Sequence, residues 1–69
     1  MKYNLTIIIP FYNSEKYILK NLNNCSKISK KHKIEVIYID NNSTDKSFSI
    51  IKNKIKNLEI IKLYKTKKK

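Results

Sequence analysis

Two apolar runs, each ending at a polar cluster and followed by a helical pattern, constrain the fold of this chain more than any other feature. The first, Leu5 to Phe11, leads into Tyr12-Asn-Ser-Glu15; the second, Ile34 to Ile39, leads into Asp40-Asn-Asn-Ser-Thr-Asp45. β-Branched residues fill both, Thr6 to Ile9 and then Val36, Ile37 and Ile39, so each reads as a strand. After the first cluster Tyr17, Ile18, Leu22, Cys25 and Ile28 recur at helical spacing, with Lys16, Lys20, Asn23, Asn24 and Lys27 on the outer face. After the second, Phe48, Ile51, Ile55 and Leu58 do the same, and Glu59 to Tyr64 reads as a third, shorter strand. Strand, polar turn and helix, repeated, set both clusters at the carboxyl ends of neighbouring parallel strands, where open α/β sheets bind their ligands. Parallel crossovers are right-handed in about 98 % of cases. The expected fold class is therefore α/β, a three-stranded parallel β-α-β-α-β layer of strand order 3-2-1 with both helices against one face.

Local chemistry adds detail. Ser14 suits the N-cap of the first helix, and Glu15 in its first turn complements the dipole. That helix is expected to fray before the cationic stretch Lys30-Lys-His-Lys33. Glu35 is expected to be solvated, Asn42 suits a left-handed backbone, and Ser43 or Thr44 would cap the second helix. Pro10 lies at a strand end, where its missing N–H is tolerable. Residues 1–64 make one partial domain, and Lys65 to Lys69, with no apolar residue, an expected disordered tail.

Composition bounds the function. A chain of 69 residues buries only about 60 % of its unfolded surface, so its stability is marginal without support. The net charge of +11 invites a nucleic-acid reading. All sixteen basic residues are lysine, however, and the chain lacks arginine, whose bidentate fork serves base readout. Lysine, asparagine and isoleucine abound while glycine, alanine and arginine are absent, the mark of AT-rich codons. Drift in composition explains the charge better than a polyanion partner. A single cysteine permits no disulfide and no thiolate zinc site, which points to a reducing cytoplasm, and the expected location is there or at the inner face of the membrane. No apolar run approaches the roughly 20 residues that cross a bilayer. The absence of glycine excludes a phosphate-cradling Gly-rich loop. Cys25 belongs to an apolar stripe, and His32 sits among lysines as a solvated side chain.

Two clusters carry the candidate chemistry. In the first, Pro10, Tyr12, Asn13 and Glu15, the Tyr12 ring can stack on a nucleobase, worth roughly 1–3 kcal/mol, and Asn13 and Glu15 reach towards a ribose or base edge. Equally, Tyr12 can pack on the helix and Asn13 can cap it. In the second, a carboxylate at the strand end, Asp40, can accept a hydrogen bond from the ring N–H of uracil or guanine. Asp45 more simply stabilises the next helix turn.

The order Pro10-Phe-Tyr-Asn13 then Asp40-Asn-Asn-Ser-Thr-Asp45 resembles the opening of the family 2 glycosyltransferases, A-type nucleotide-diphospho-sugar transferases, over roughly residues 5 to 63. The resemblance implies the front part of their Rossmann-like fold, with Tyr12 against the nucleoside, Asp40 on the base and Asn41 in place of a second acid. It implies a nucleotide-diphospho-sugar partner of UDP or GDP type, and a whole protein that moves a sugar to a glycan, lipid or protein acceptor. Relatives hold Mg or Mn through a later Asp-x-Asp motif and use a later general base. Neither is found before Lys69, so the expectation is a fragment truncated ahead of that motif, with no catalytic residue and no cofactor of its own. In the family a further strand lies beside strand 1. Without it, the edge formed by residues 5–11 is expected to self-associate or to take a complementary fragment. The alternatives are a small basic module for nucleic acid or acidic surfaces, and a non-catalytic partner of a complementary transferase fragment.

Overall fold

The computed structural model describes residues 3–56, 58 and 60–66. Its elements are β1 (Leu5–Phe11), α1 (Ile18–His32), β2 (Ile34–Asp40), α2 (Ser47–Lys54) and β3 (Ile61–Lys65). The strands are parallel in the order β1-β2-β3, the expected 3-2-1 layer read from its other edge. Register aligns Phe11 with Asp40 and Asp40 with Lys65, so all three strands finish at the same end.

Strand alternation divides the sheet into two faces. Phe11, Val36, Tyr38 and Ile61 point to the helices and join Ile18, Leu22 and Ile51 in one core, with Ile9, Cys25 and Leu63 packed around it. Burying each of these large side chains contributes roughly 1.5–3 kcal/mol. α1 packs on β2 and on α2, so both helices cover the same face. Tyr38 is completely buried, with its hydroxyl donating to Asn21 Oδ1 at 2.6 Å. Burial pushes its phenol well above the ordinary value. Phe11 meets the Tyr38 ring edge-on, centroids 6.2 Å apart.

The other face carries Thr6, Ile8, Pro10, Glu35, Ile37, Ile39, Lys62 and Tyr64. Glu35 is not freely solvated as expected: Thr6 Oγ1 donates to it at 2.9 Å, and Lys62 forms a salt bridge with it. Above this pair the face is apolar and uncovered, with Ile8 58 % exposed. β1 is an edge strand. Asn41 N–H donates to Phe11 C=O at 2.9 Å, which turns the Phe11 carbonyl towards β2. Alternation therefore turns the backbone groups of Thr6, Ile8 and Pro10 outwards, and Pro10 has no N–H to leave unpaired there.

Both helix starts differ from the sequence expectation. α1 begins at Ile18, with Tyr17 as a cap that makes no side-chain bond. Ser14 contributes only its carbonyl, which accepts Tyr17 N–H at 2.9 Å and Ile18 N–H at 2.8 Å. Glu15 stands before the helix, not in its first turn. α2 begins at Ser47 with Lys46 as cap, so neither Ser43 nor Thr44 caps it. The Ser43 and Thr44 hydroxyls are committed between the two loops, as shown below, whereas the Ser14 hydroxyl donates to Tyr12 C=O at 3.2 Å within its own loop.

The end of α1 differs too. The helix runs through Lys30 and Lys31 to His32, and Lys33 turns left-handed at φ 54°. Cations in a last turn suit the dipole. Asn4 then takes the free carbonyls, its N–H donating to Lys33 O and its Nδ2 to His32 O, each at 2.9 Å. β3 starts at Ile61, and Glu59, expected to open it, lies outside the described residues. Of the expected tail, Lys65 belongs to β3, with its ammonium 5.3 Å from the Phe48 ring centre. Thr66 N–H donates to Asp40 C=O at 2.9 Å. Residues 67–69 lie outside the described residues.

Candidate functional site

Because β1 and β2 finish level, the loop after each strand meets the other across the end of the sheet. Asn13 holds the junction. Its φ of 46° is left-handed, as is the 62° of Asn42, and asparagine is the side chain other than glycine that tolerates this best. The Asn13 N–H donates to Ser43 Oγ at 2.9 Å, and its Oδ1 accepts the N–H of Thr44 at 2.7 Å and of Asp45 at 3.3 Å. Its Nδ2 donates to Thr44 Oγ1 at 3.2 Å. Next to it, Ser14 N–H donates to Ser47 Oγ at 2.7 Å and Glu15 N–H to Asp45 Oδ2 at 3.1 Å. Glu15 Oε1 accepts Lys46 N–H at 3.1 Å in return. Backbone groups that ordinarily face water at loop tips are thus paired between loops about thirty residues apart in sequence.

Asp40 ends β2 and is completely buried. Its Oδ1 accepts Ser43 N–H at 2.9 Å, whereas its Oδ2 has no hydrogen-bond partner among the described residues. A buried carboxylate oxygen without a donor costs free energy, so this position calls for one. Tyr12 directly follows β1 and is 56 % exposed. Asn41 is exposed at the strand end. Its Oδ1 lies 3.4 Å from the Thr66 hydroxyl, which ties the ends of β2 and β3 together.

Asp45 is a structural residue. Its Oδ1 accepts both the N–H of Ser47 at 2.9 Å and its hydroxyl at 2.6 Å, which opens α2 from two residues upstream. Desolvation pushes its carboxyl upwards, but these bonds, with the Glu15 N–H, outweigh it and hold the group below its ordinary value.

The sequence-derived candidates therefore divide. Tyr12, Asn13, Glu15, Asp40 and Asn41 come together at one end of the sheet. Pro10 lies lower on β1, lining a groove of about 150 Å³ with Ile9, Phe11, Ser14, Tyr17, Ile18 and Asn21. A depression of about 270 Å³ opens beside the junction, between Asn13, Glu15, Lys16, Tyr17 and Asp45, and includes neither Tyr12 nor Asp40. Ser47 and Thr66 were missed from the sequence. Ser47 left one trace, a small polar residue in helical phase with Ile51, where a buried hydroxyl needs partners from outside its own helix. Thr66 left none.

A divalent metal does not fit these residues. No three of His, Cys, Asp and Glu come together among the described residues. Glu15 and Asp45 already accept backbone N–H groups.

A model of the family described as glycosyl transferase family 2 matches residues 6–69, across both strand ends and the junction they form. The chain belongs to glycosyl transferase family 2. Its family 2 relatives include a dolichyl N-acetyl-alpha-D-glucosaminyl phosphate 3-beta-D-2,3-diacetamido-2,3-dideoxy-beta-D-glucuronosyltransferase of Methanococcus voltae. That protein is 42 % identical over 67 residues, covering 93 % of this chain and 21 % of the relative. A glycosyltransferase of Haemophilus influenzae is 42 % identical over 62 residues, covering 90 % of this chain and 24 % of the relative. The poly(ribitol-phosphate) beta-N-acetylglucosaminyltransferase TarS of Staphylococcus aureus is 40 % identical over 62 residues, covering 84 % and 11 %. This chain thus spans less than a quarter of the length of these family 2 relatives. No solved structure matches it. The layer is the front part of the A-type, Rossmann-like family fold.

Proposed function

We propose that the end of the sheet is the nucleoside-binding part of a donor site for a UDP- or GDP-linked sugar. The orphaned Oδ2 of buried Asp40 carries this reading. The imide N–H of uracil, or its guanine counterpart, supplies the donor this oxygen lacks, while adenine and cytosine present no N–H at that ring position. Tyr12, exposed after the end of β1, stacks on the base. As part of a whole protein the site serves transfer of the sugar to a glycan, lipid or protein acceptor. The relatives' names attach sugars to acceptors of different kinds, and this chain's acceptor is not inferred from them. By itself the layer binds without transferring, since no residue described here serves as general base. No helix among the described residues is long and apolar enough to cross a membrane. We place the site in the cytoplasm or at the inner face of its membrane, and the edge of residues 5–11 as the seam for a second copy or complementary fragment.

Titration of the isotope-labelled chain with UDP, GDP and ADP tests the base reading. The expected result is weak, roughly millimolar binding that shifts Tyr12 and Asp40 with UDP or GDP and less with ADP. Asp40→Asn removes that preference, whereas His32→Ala leaves it intact. Equal shifts with all three nucleotides, fading between about 50 and 200 mM salt, would mean that the lysines alone are responsible.

A further inference from the structure

We infer that Asn13 is a positioning residue: it holds the loop that orients Asp40 and does not itself touch the ligand. The inference rests on the nucleotide reading above and changes the role of one residue within it. From sequence, Asn13 is a candidate for a ribose hydroxyl or a base edge. In the structure its side-chain oxygen is already occupied by the N–H groups of Thr44 and Asp45, at 2.7 and 3.3 Å. An amide oxygen has two lone pairs, so no acceptor remains for a ribose hydroxyl. One of its two Nδ2 hydrogens goes to the Thr44 hydroxyl at 3.2 Å, and the dideoxy-nucleotide cycle below tests the other.

The path from Asn13 to the base contact is short. Asn13 N–H donates to Ser43 Oγ at 2.9 Å, and Ser43 N–H donates to Asp40 Oδ1 at 2.9 Å. One residue therefore grips Ser43, Thr44 and Asp45 in succession, and the first of them fixes one oxygen of the carboxylate. With Oδ1 fixed, Oδ2 is the oxygen left without a donor. The left-handed backbone of Asn13, φ 46°, is what lets its N–H and side chain face the same neighbouring loop. Positioning of this kind acts without contact, by holding a group that does make contact.

Two substitutions separate the side chain from the backbone. Asn13→Gly keeps the left-handed φ at no steric cost and deletes the clamp. Asn13→Asp keeps the acceptor oxygen and tolerates the same φ. In the ligand-free chain, amide exchange at Thr44 and Asp45 should accelerate roughly tenfold in Asn13→Gly, the loss of about one net hydrogen bond. It should remain near the parent rate in Asn13→Asp. Exchange at Leu22 and Ile51 monitors global unfolding. UDP and 2′,3′-dideoxy-UDP then form a cycle with the substitution. A positioning role predicts that Asn13→Gly weakens both ligands by the same factor. If the penalty vanishes for the dideoxy ligand, Asn13 touches the ribose and the inference is wrong. Unchanged exchange at Thr44 and Asp45 would overturn it as well. If the parent chain binds no UDP, the nucleotide reading fails by itself, and the exchange ratio still decides whether Asn13 holds the 43–45 loop.

Discussion

At the carboxyl end of the sheet Asn13, Ser14, Ser43, Thr44, Asp45 and Ser47 satisfy one another's polar groups, while on the uncovered face Ile8 and Tyr64 stand 58 % and 56 % exposed. Both regions draw on β1, β2 and the residues next to them. The difference is where each finds its partners. Hydrogen-bonding groups brought together by parallel register close on each other within the chain. An apolar sheet face has no such local remedy and is relieved only by something packed against it. Asp40 Oδ2 apart, the crevice is therefore self-contained, and the sheet that supports it is not.

The sharpest way to break this contrast is Ser47→Ala. Its completely buried hydroxyl accepts Ser14 N–H and donates to Asp45, so removal strands one donor and loosens the carboxylate. A loss of about 1–3 kcal/mol is expected, read as a lower midpoint in urea. A change smaller than about 0.5 kcal/mol would mean that the interlocked loops add little to the fold.

The polar corner of the uncovered face should matter less, and its pH dependence shows how. Hydrogen bonds from Lys62 and then Thr6 hold the Glu35 carboxyl below its ordinary value, and Glu35 holds the Lys62 ammonium above its own. The carboxylate's contribution is present above the unfolded value of about 4.3 and is lost as pH falls through the lowered one. The ammonium's contribution is present below about 10.4 and is lost as pH rises through the raised one. Glu35→Gln should flatten the melting temperature on both limbs, modestly and less so in high salt, because the Lys62 side of the pair is exposed. An unchanged acid limb would leave Asp45, held low by Ser47, as the group responsible.

Ile8→Lys should have the smallest effect on folding, within about 0.5 kcal/mol, and a clear effect on association. Its side chain adds charge to the bare face at the free edge of β1, and lysine is a common guard of such edges. Sedimentation at moderate salt should show the parent chain self-associating and the variant less so. A sharply melting monomer that the substitution leaves unchanged would show that edge and face need no partner.

Most of the architecture was legible because its signals are short-range. Ile7 to Ile9 and Val36 to Ile39 read as strands from side-chain shape alone. Asn42 read as left-handed because few other residues tolerate that conformation. The place of Asp40 at a strand end was legible, but its depth was not, since burial depends on what the fold packs around it. Residues 30–33 misled because their charge suggests fraying, whereas the helix dipole and Asn4, from before β1, stabilise that end.

The sequence by itself determined three parallel strands, their order, one bare face, and two polar clusters at a common end. Only the tertiary structure decided what those clusters do with their atoms. Ser14, Ser43 and Thr44 can each cap a nearby helix, and the same oxygens and N–H groups can bond across the junction. Nothing local distinguishes the two uses. The choice falls to the register that sets Phe11 beside Asp40, because it brings Asn13 within bonding distance of residues 43–45 and lets one loop satisfy the other.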